Sequence, residues 1–76
     1  MAEEGVMSDQ LDGFIVAQLR MRGPMTLQQI ETRIIRDKVV PSAVALRALE
    51  AALIRLRDAG TIRLEGRKWR LLKEAK

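Results

Sequence analysis

The 76-residue chain contains no cysteine and no histidine. Without cysteine there is neither a disulfide framework nor a thiolate nucleophile, and with both residue types missing the usual zinc sites are excluded. No apolar run is long enough to cross a bilayer, and the N-terminal stretch is acidic where a secretory signal would be positive. An intracellular, cytoplasmic protein without a membrane partner is expected. The G-x-x-x-x-G-K-[ST] phosphate loop and the nucleophile elbow are absent, and the carboxylates are scattered. A chain this short also buries only a modest core. No enzyme activity, metal or cofactor is therefore expected.

What is present has a globular balance, 47% hydrophobic and 32% charged. The formal net charge of +4 is unevenly placed. Residues 1–19 hold Glu3, Glu4, Asp9 and Asp12 and no base, so all 14 bases and the other six of the ten acids fall in residues 20–76, which leaves that stretch at +8. A basic body attracts polyanions, of which nucleic acid is the commonest in a cell, although the same cations also serve solubility.

Residues 1–7 lack periodicity and read as a flexible lead-in, and residues 73–76 as a short tail, on either side of one domain over residues 8–72. Ser8 is the expected cap of a first helix, with Asp9 and Asp12 in its first turn and Leu11, Phe14, Ile15 and Leu19 facing inward. Gly23 and Pro24 stop it. Thr26 and Gln29 then stand at the spacing of a capping box, flanked by Met25 and Ile30 at the positions of a hydrophobic staple. The second helix should bury Leu27, Ile30 and Ile34 and end near Arg36 or Asp37. After a connector to Pro41, Ser42 is the expected cap of a third helix whose inward seam is Leu46, Leu49, Leu53 and Leu56, closed by Gly60.

Past Gly60 the hydrophobic period changes from 3.6 to 2, and residues 61–72 read as a hairpin with a type II′ turn at Gly66 and Arg67. That turn pairs Leu64 with Trp69 and Ile62 with Leu71 on one face, and Glu65 with Lys68 and Arg63 with Arg70 on the other. A one-residue slip would mix leucines with arginines. Trp69 belongs to the apolar face, so it reads as a core residue and not as a platform for stacking a base.

The expected fold is mainly α with a small β-hairpin: three helices plus a two-stranded wing. Ile15, Leu19, Gly23-Pro24-Met25-Thr26-Leu27 and Ile30 resemble the junction of helices one and two in the winged helix-turn-helix superfamily, in small bacterial or mobile-element transcriptional regulators. Leu49, Leu53, Leu56, Gly60, Ile62, Trp69 and Leu71 resemble their third helix running into the wing, so the likeness spans residues 11–72. It implies a duplex-DNA-binding transcriptional regulator, with helix three in the major groove and the wing on the backbone. By position the helix then offers Ser42, Ala43, Val44, Arg47 and Ala51, of which Arg47 is the strong reader of base edges. Arg63, Arg67, Lys68 and Arg70 of the wing would meet phosphates, which would also offset the repulsion between Arg63 and Arg70. Arg33, Arg36 and Lys38 are either phosphate clamps or a solvated face. The rival expectation is a protein-binding adaptor or inhibitor on the same scaffold, gripping its partner through Val39, Val40, Ala43 and Val44. A homodimer through the N-terminal segment, helix one or Val39 and Val40 is a further expectation.

Overall fold

The computed structural model describes residues 2–72, with side chains described from residue 10; the expected tail lies outside the described residues. Three helices, α1 (Ala2–Arg22), α2 (Leu27–Arg36) and α3 (Ala45–Asp58), pack with three short strands, β1 (Met25–Thr26), β2 (Ile62–Glu65) and β3 (Lys68–Leu71). The strands form one antiparallel sheet in the order β1-β3-β2. This is a mainly helical, winged-helix-like arrangement with β2 and β3 as the wing. No helix among the described residues is long and apolar enough to cross a membrane.

The hairpin has the register that alternation predicts: Ile62 with Leu71, Arg63 with Arg70, Leu64 with Trp69 and Glu65 with Lys68. Gly66 has φ +65° while Arg67 keeps a negative φ, the signature of a type II′ turn. The capping box is present in full. The Gln29 amide donates to Thr26 Oγ1 at 3.1 Å, and the Thr26 amide donates to Gln29 Oε1 at 2.9 Å.

β1 was not anticipated. Met25 pairs with Trp69 and Thr26 with Lys68, so the residues read as staple and cap also add a third strand to the wing. A two-residue strand has no alternation to detect; it exists because β3 offers an open edge beside it. α1 starts at Ala2, so residues 2–7 are helical and not a loose lead-in, and Ser8 lies inside the helix instead of capping it. Ala2, Glu3 and Glu4 are good helix formers, and nothing between them and Leu11 compels a break.

All three helices end on a residue in the left-handed conformation. Gly23 (φ +83°) donates its amide to Leu19, and Gly60 (φ +80°) closes α3 with Thr61 N–H on the Leu56 carbonyl. At the end of α2 the same Schellman pattern recurs, with Val39 N–H on Ile34 and Lys38 N–H on Ile35, but the left-handed residue is Lys38 at φ +57°. A Cβ there is strained, so Lys38→Gly is expected to raise stability by about 0.5–1 kcal/mol, the relieved strain less the added entropy of the unfolded chain. Thermal unfolding checks this: a melting temperature unchanged or lowered would show that the lysine side chain offsets its own backbone strain.

The core joins Leu11, Ile15 and Leu19 of α1, Met25 of β1, Ile30 and Ile34 of α2, Val40, five residues of α3, and Ile62 and Trp69 of the wing. α3 buries Ala45, Leu49, Ala52, Leu53 and Leu56, whereas Leu46 is 44% exposed. The reason is local. Pro41 and the residues after it form a 3₁₀ turn, Ser42–Val44, so the α-helix begins at Ala45 and not just after Ser42. Ser42 makes no capping bond. Position 45 then takes the inward phase, and its small side chain lets the helix sit close to the core. Val40 is buried and Val39 partly so, which removes both from the exposed patch expected of them. Leu64, near the hairpin tip, is 48% exposed, because the apolar face of the wing extends beyond the helices that could cover it.

Candidate nucleic-acid interface

The start of the third helix presents Ser42, Ala43, Val44, Arg47 and Ala51 to solvent, as helical phasing predicts. Glu50 and Ile54 share that face and were not foreseen as part of it. A carboxylate one turn from Arg47 opposes phosphate approach, and an exposed isoleucine offers nothing to a base edge beyond apolar contact.

One flank of α3 is tied to α1. Arg55 Nη2 donates to Asp12 Oδ1 at 2.8 Å and its Nε to Oδ2 at 3.3 Å, a two-point fork across two helices. Asp12 therefore holds a tertiary contact instead of the first-turn role expected of it. The arginine side chain is 41% exposed, so the fork contributes at most about 1 kcal/mol; its consequence is the orientation of α3 on α1.

On the wing, Arg63 and Arg70 do lie opposite each other. Their counter-charge is already in the hairpin. The Glu65 carboxylate stands 3.4 Å from Arg70 Nη1 and 3.9 Å from Arg63 Nε. Repulsion between the two arginines thus needs no external phosphate to offset it, which corrects the expectation drawn from their pairing alone. Arg67 and Lys68 at the turn differ: among the described residues neither has an ion-pair partner. Trp69, 9% exposed, is a core residue as predicted.

Between α3 and the wing lies a groove of about 490 Å³. Leu27, Leu53, Ile54, Leu64 and Trp69 give it an apolar floor, and Glu50, Arg57 and Arg67 bring charge to its edges. The groove sets the wing tip beside the exposed face of α3, so Arg67 and that face belong to one side of the molecule.

Arg33 and Arg36 belong elsewhere. Together with Arg22, Pro24, Met25, Gln29 and Thr32 they line a second cleft of about 390 Å³, between the end of α1 and the side of α2. At 100° per residue this side of α2 lies nearly opposite Leu27, which lines the groove beside the wing. The ten residues singled out from the sequence therefore do not form one surface. Arg47 goes with the exposed face of α3, Arg67 with the edge of the groove at the wing turn, Lys68 with the outer face of the wing beside Arg63 and Arg70, Arg33 and Arg36 with the second cleft, and Lys38 with the strained turn between α2 and α3. Arg22 had no sequence signal beyond its place in a last helical turn; only packing brings it to Arg33 and Arg36. Among the described residues no three acidic side chains gather closely enough to hold a metal ion. In comparison with known proteins, no family model matches the chain, and no curated protein or solved structure matches it either.

Proposed function

We propose that the chain binds double-stranded DNA as a transcriptional regulator, with the exposed start of α3 in the major groove and the turn of the wing on the phosphate backbone. The observation that carries this reading is that Arg47 of α3 and Arg67 and Lys68 of the wing turn have no ion-pair partner among the described residues, while Arg63 and Arg70 do. Cations left without a carboxylate, on elements that flank one groove, suit an external polyanion. Because Arg47 is the one strong base reader on a face whose other side chains are small or apolar apart from the Glu50 carboxylate, backbone contacts dominate affinity and sequence discrimination is modest.

The test is a salt titration of binding to random duplex, repeated with sequences enriched from a random pool. Log affinity should fall linearly with log salt, with a slope of about 0.9 for each phosphate neutralised. Absence of steep salt dependence sinks the reading. Glu65→Gln is expected to strengthen binding several-fold at low salt and to steepen the slope by about 1 to 2, since Arg63 and Arg70 are released to meet phosphates. An unchanged slope would mean that neither arginine reaches the backbone.

The second reading is a protein-binding adaptor or inhibitor. Its support is no longer the Val39 and Val40 pair, but Val44, Leu46, Ile54 and Leu64, each 43–48% exposed on the third helix segment and the wing. A single stoichiometric protein partner retained after nuclease treatment would favour it. Sedimentation of the isolated chain decides whether a second copy fills that role. Residence in the cytoplasm, with the nucleoid, follows only if the duplex reading holds.

A further inference from the structure

The cleft between the end of α1 and α2 stands apart from the surface proposed to meet DNA, and its chemistry differs from it. Three guanidinium groups, those of Arg22, Arg33 and Arg36, line it, and among the described residues no carboxylate does. Taken singly, each arginine has a bland explanation, because each sits in the last turn of its helix, where a cation complements the macrodipole. That explanation does not extend to their convergence. Helix ends are equally served by cations pointing into open water, and gathering three of them on one cleft raises their mutual repulsion.

The details favour an anion. Arg33 and Arg36 have no ion-pair partner among the described residues. Arg22 is held in place: its Nε donates to Oε1 of Gln18 at 3.0 Å, and Gln18 is a polar residue only 6% exposed. The buried glutamine thus uses its acceptor to orient a guanidinium, and among the described residues neither terminal nitrogen of Arg22 has a hydrogen-bond or ion-pair partner. Gln29 accepts the Thr26 amide through Oε1, which leaves its own amide nitrogen as a further donor at the cleft. Pro24 and Met25 supply an apolar wall beside these donors.

We infer that this cleft is a phosphate site, in which Arg22, Arg33 and Arg36 together take a phosphate or diphosphate group. Planar guanidinium forks match phosphate oxygens bidentately, and three of them suit a group carrying two or more negative charges. The apolar wall suits a short organic body attached to it. The inference does not rest on the duplex reading of α3 and the wing, because the cleft has a different lining.

The test uses the full chain and inorganic pyrophosphate, at low ionic strength, with the arginine Nε–H resonances followed by NMR. Saturable shifts are expected at Arg22, Arg33 and Arg36. The R33Q/R36Q variant should bind at least about tenfold more weakly, and R33K/R36K, which keeps the charge but loses the fork, should fall between it and the parent. The R67Q/K68Q variant should bind pyrophosphate like the parent. A short duplex then distinguishes the source of the phosphate. If R33Q/R36Q, folded by circular dichroism, keeps its duplex affinity, the cleft serves a small phosphorylated ligand; if it loses both, the cleft serves backbone phosphates. The inference is overturned if pyrophosphate gives no saturable shift, if it moves the Arg67 Nε–H signal equally, or if R33Q/R36Q and R67Q/K68Q weaken its binding alike.

Discussion

Truncating Leu49 to alanine should destabilise the folded chain by about 2–5 kcal/mol, the range for deleting a fully buried leucine and leaving a cavity. Leu49 is 0% exposed, at the middle of the α3 seam, and shares the core with α1, α2, β1 and the wing. A domain of this length has about 4–11 kcal/mol of stability in all, so the loss is a large share of the total. At about 4–8 °C for each kcal/mol, the melting temperature should drop by at least about 8 °C. Leu46→Ala is the control. Expectation from the sequence placed both leucines on one inward seam, but Leu46 is 44% exposed, so its truncation should cost well under half as much. Equal losses from the two substitutions, measured by denaturant unfolding, would mean that α3 is rotated relative to the phase described for it.

The second large effect concerns the wing turn. Replacing Arg67 and Lys68 together by glutamine should weaken duplex binding at low salt by at least about tenfold and lower the slope of log affinity against log salt by about 2, one unit for each phosphate left without its cation. The effect should be uniform across sequences, since cations on phosphates position the protein and carry no base information. Arg47→Gln should behave differently, relaxing preference among enriched sequences and changing the slope little. Arg67 lies in the exposed turn and Lys68 is the exposed first residue of β3, both outside the core, so folding should be retained. An unaltered slope in R67Q/K68Q would remove the wing from the interface and, with it, the main support for duplex binding.

Several features of the candidate surface were legible in the sequence because their partners lie close by along the chain. The capping box needs residues three apart, and the hairpin register needs only a glycine in the turn and alternation on either side. Glu65 was legible in part. Its pairing opposite Lys68 follows from the alternation, but its carboxylate turns to Arg70 and Arg63, the diagonal and same-face neighbours that a twisted two-stranded ribbon also brings within reach. The left-handed conformation of Lys38 was not legible, because lysine carries no preference for it. It is imposed by the Schellman bonds, once Val39 packs against the core and Val40 enters it.

By itself the sequence determined where the helices stop, how the second one begins, that a basic hairpin closes the fold and which residues face each other across it. Each of these depends on partners within about a dozen residues, where chain connectivity leaves few alternatives. Tertiary structure alone decided which cations meet a carboxylate and which have no ion-pair partner among the described residues. It paired Arg55 with Asp12, turned Leu46 outward, drew β1 onto the wing, and divided the basic residues between the α3 and wing face and the cleft of Arg22, Arg33 and Arg36. Those outcomes depend on the angles at which elements distant in the chain pack together, and a one-dimensional pattern of charge and hydrophobicity does not contain those angles.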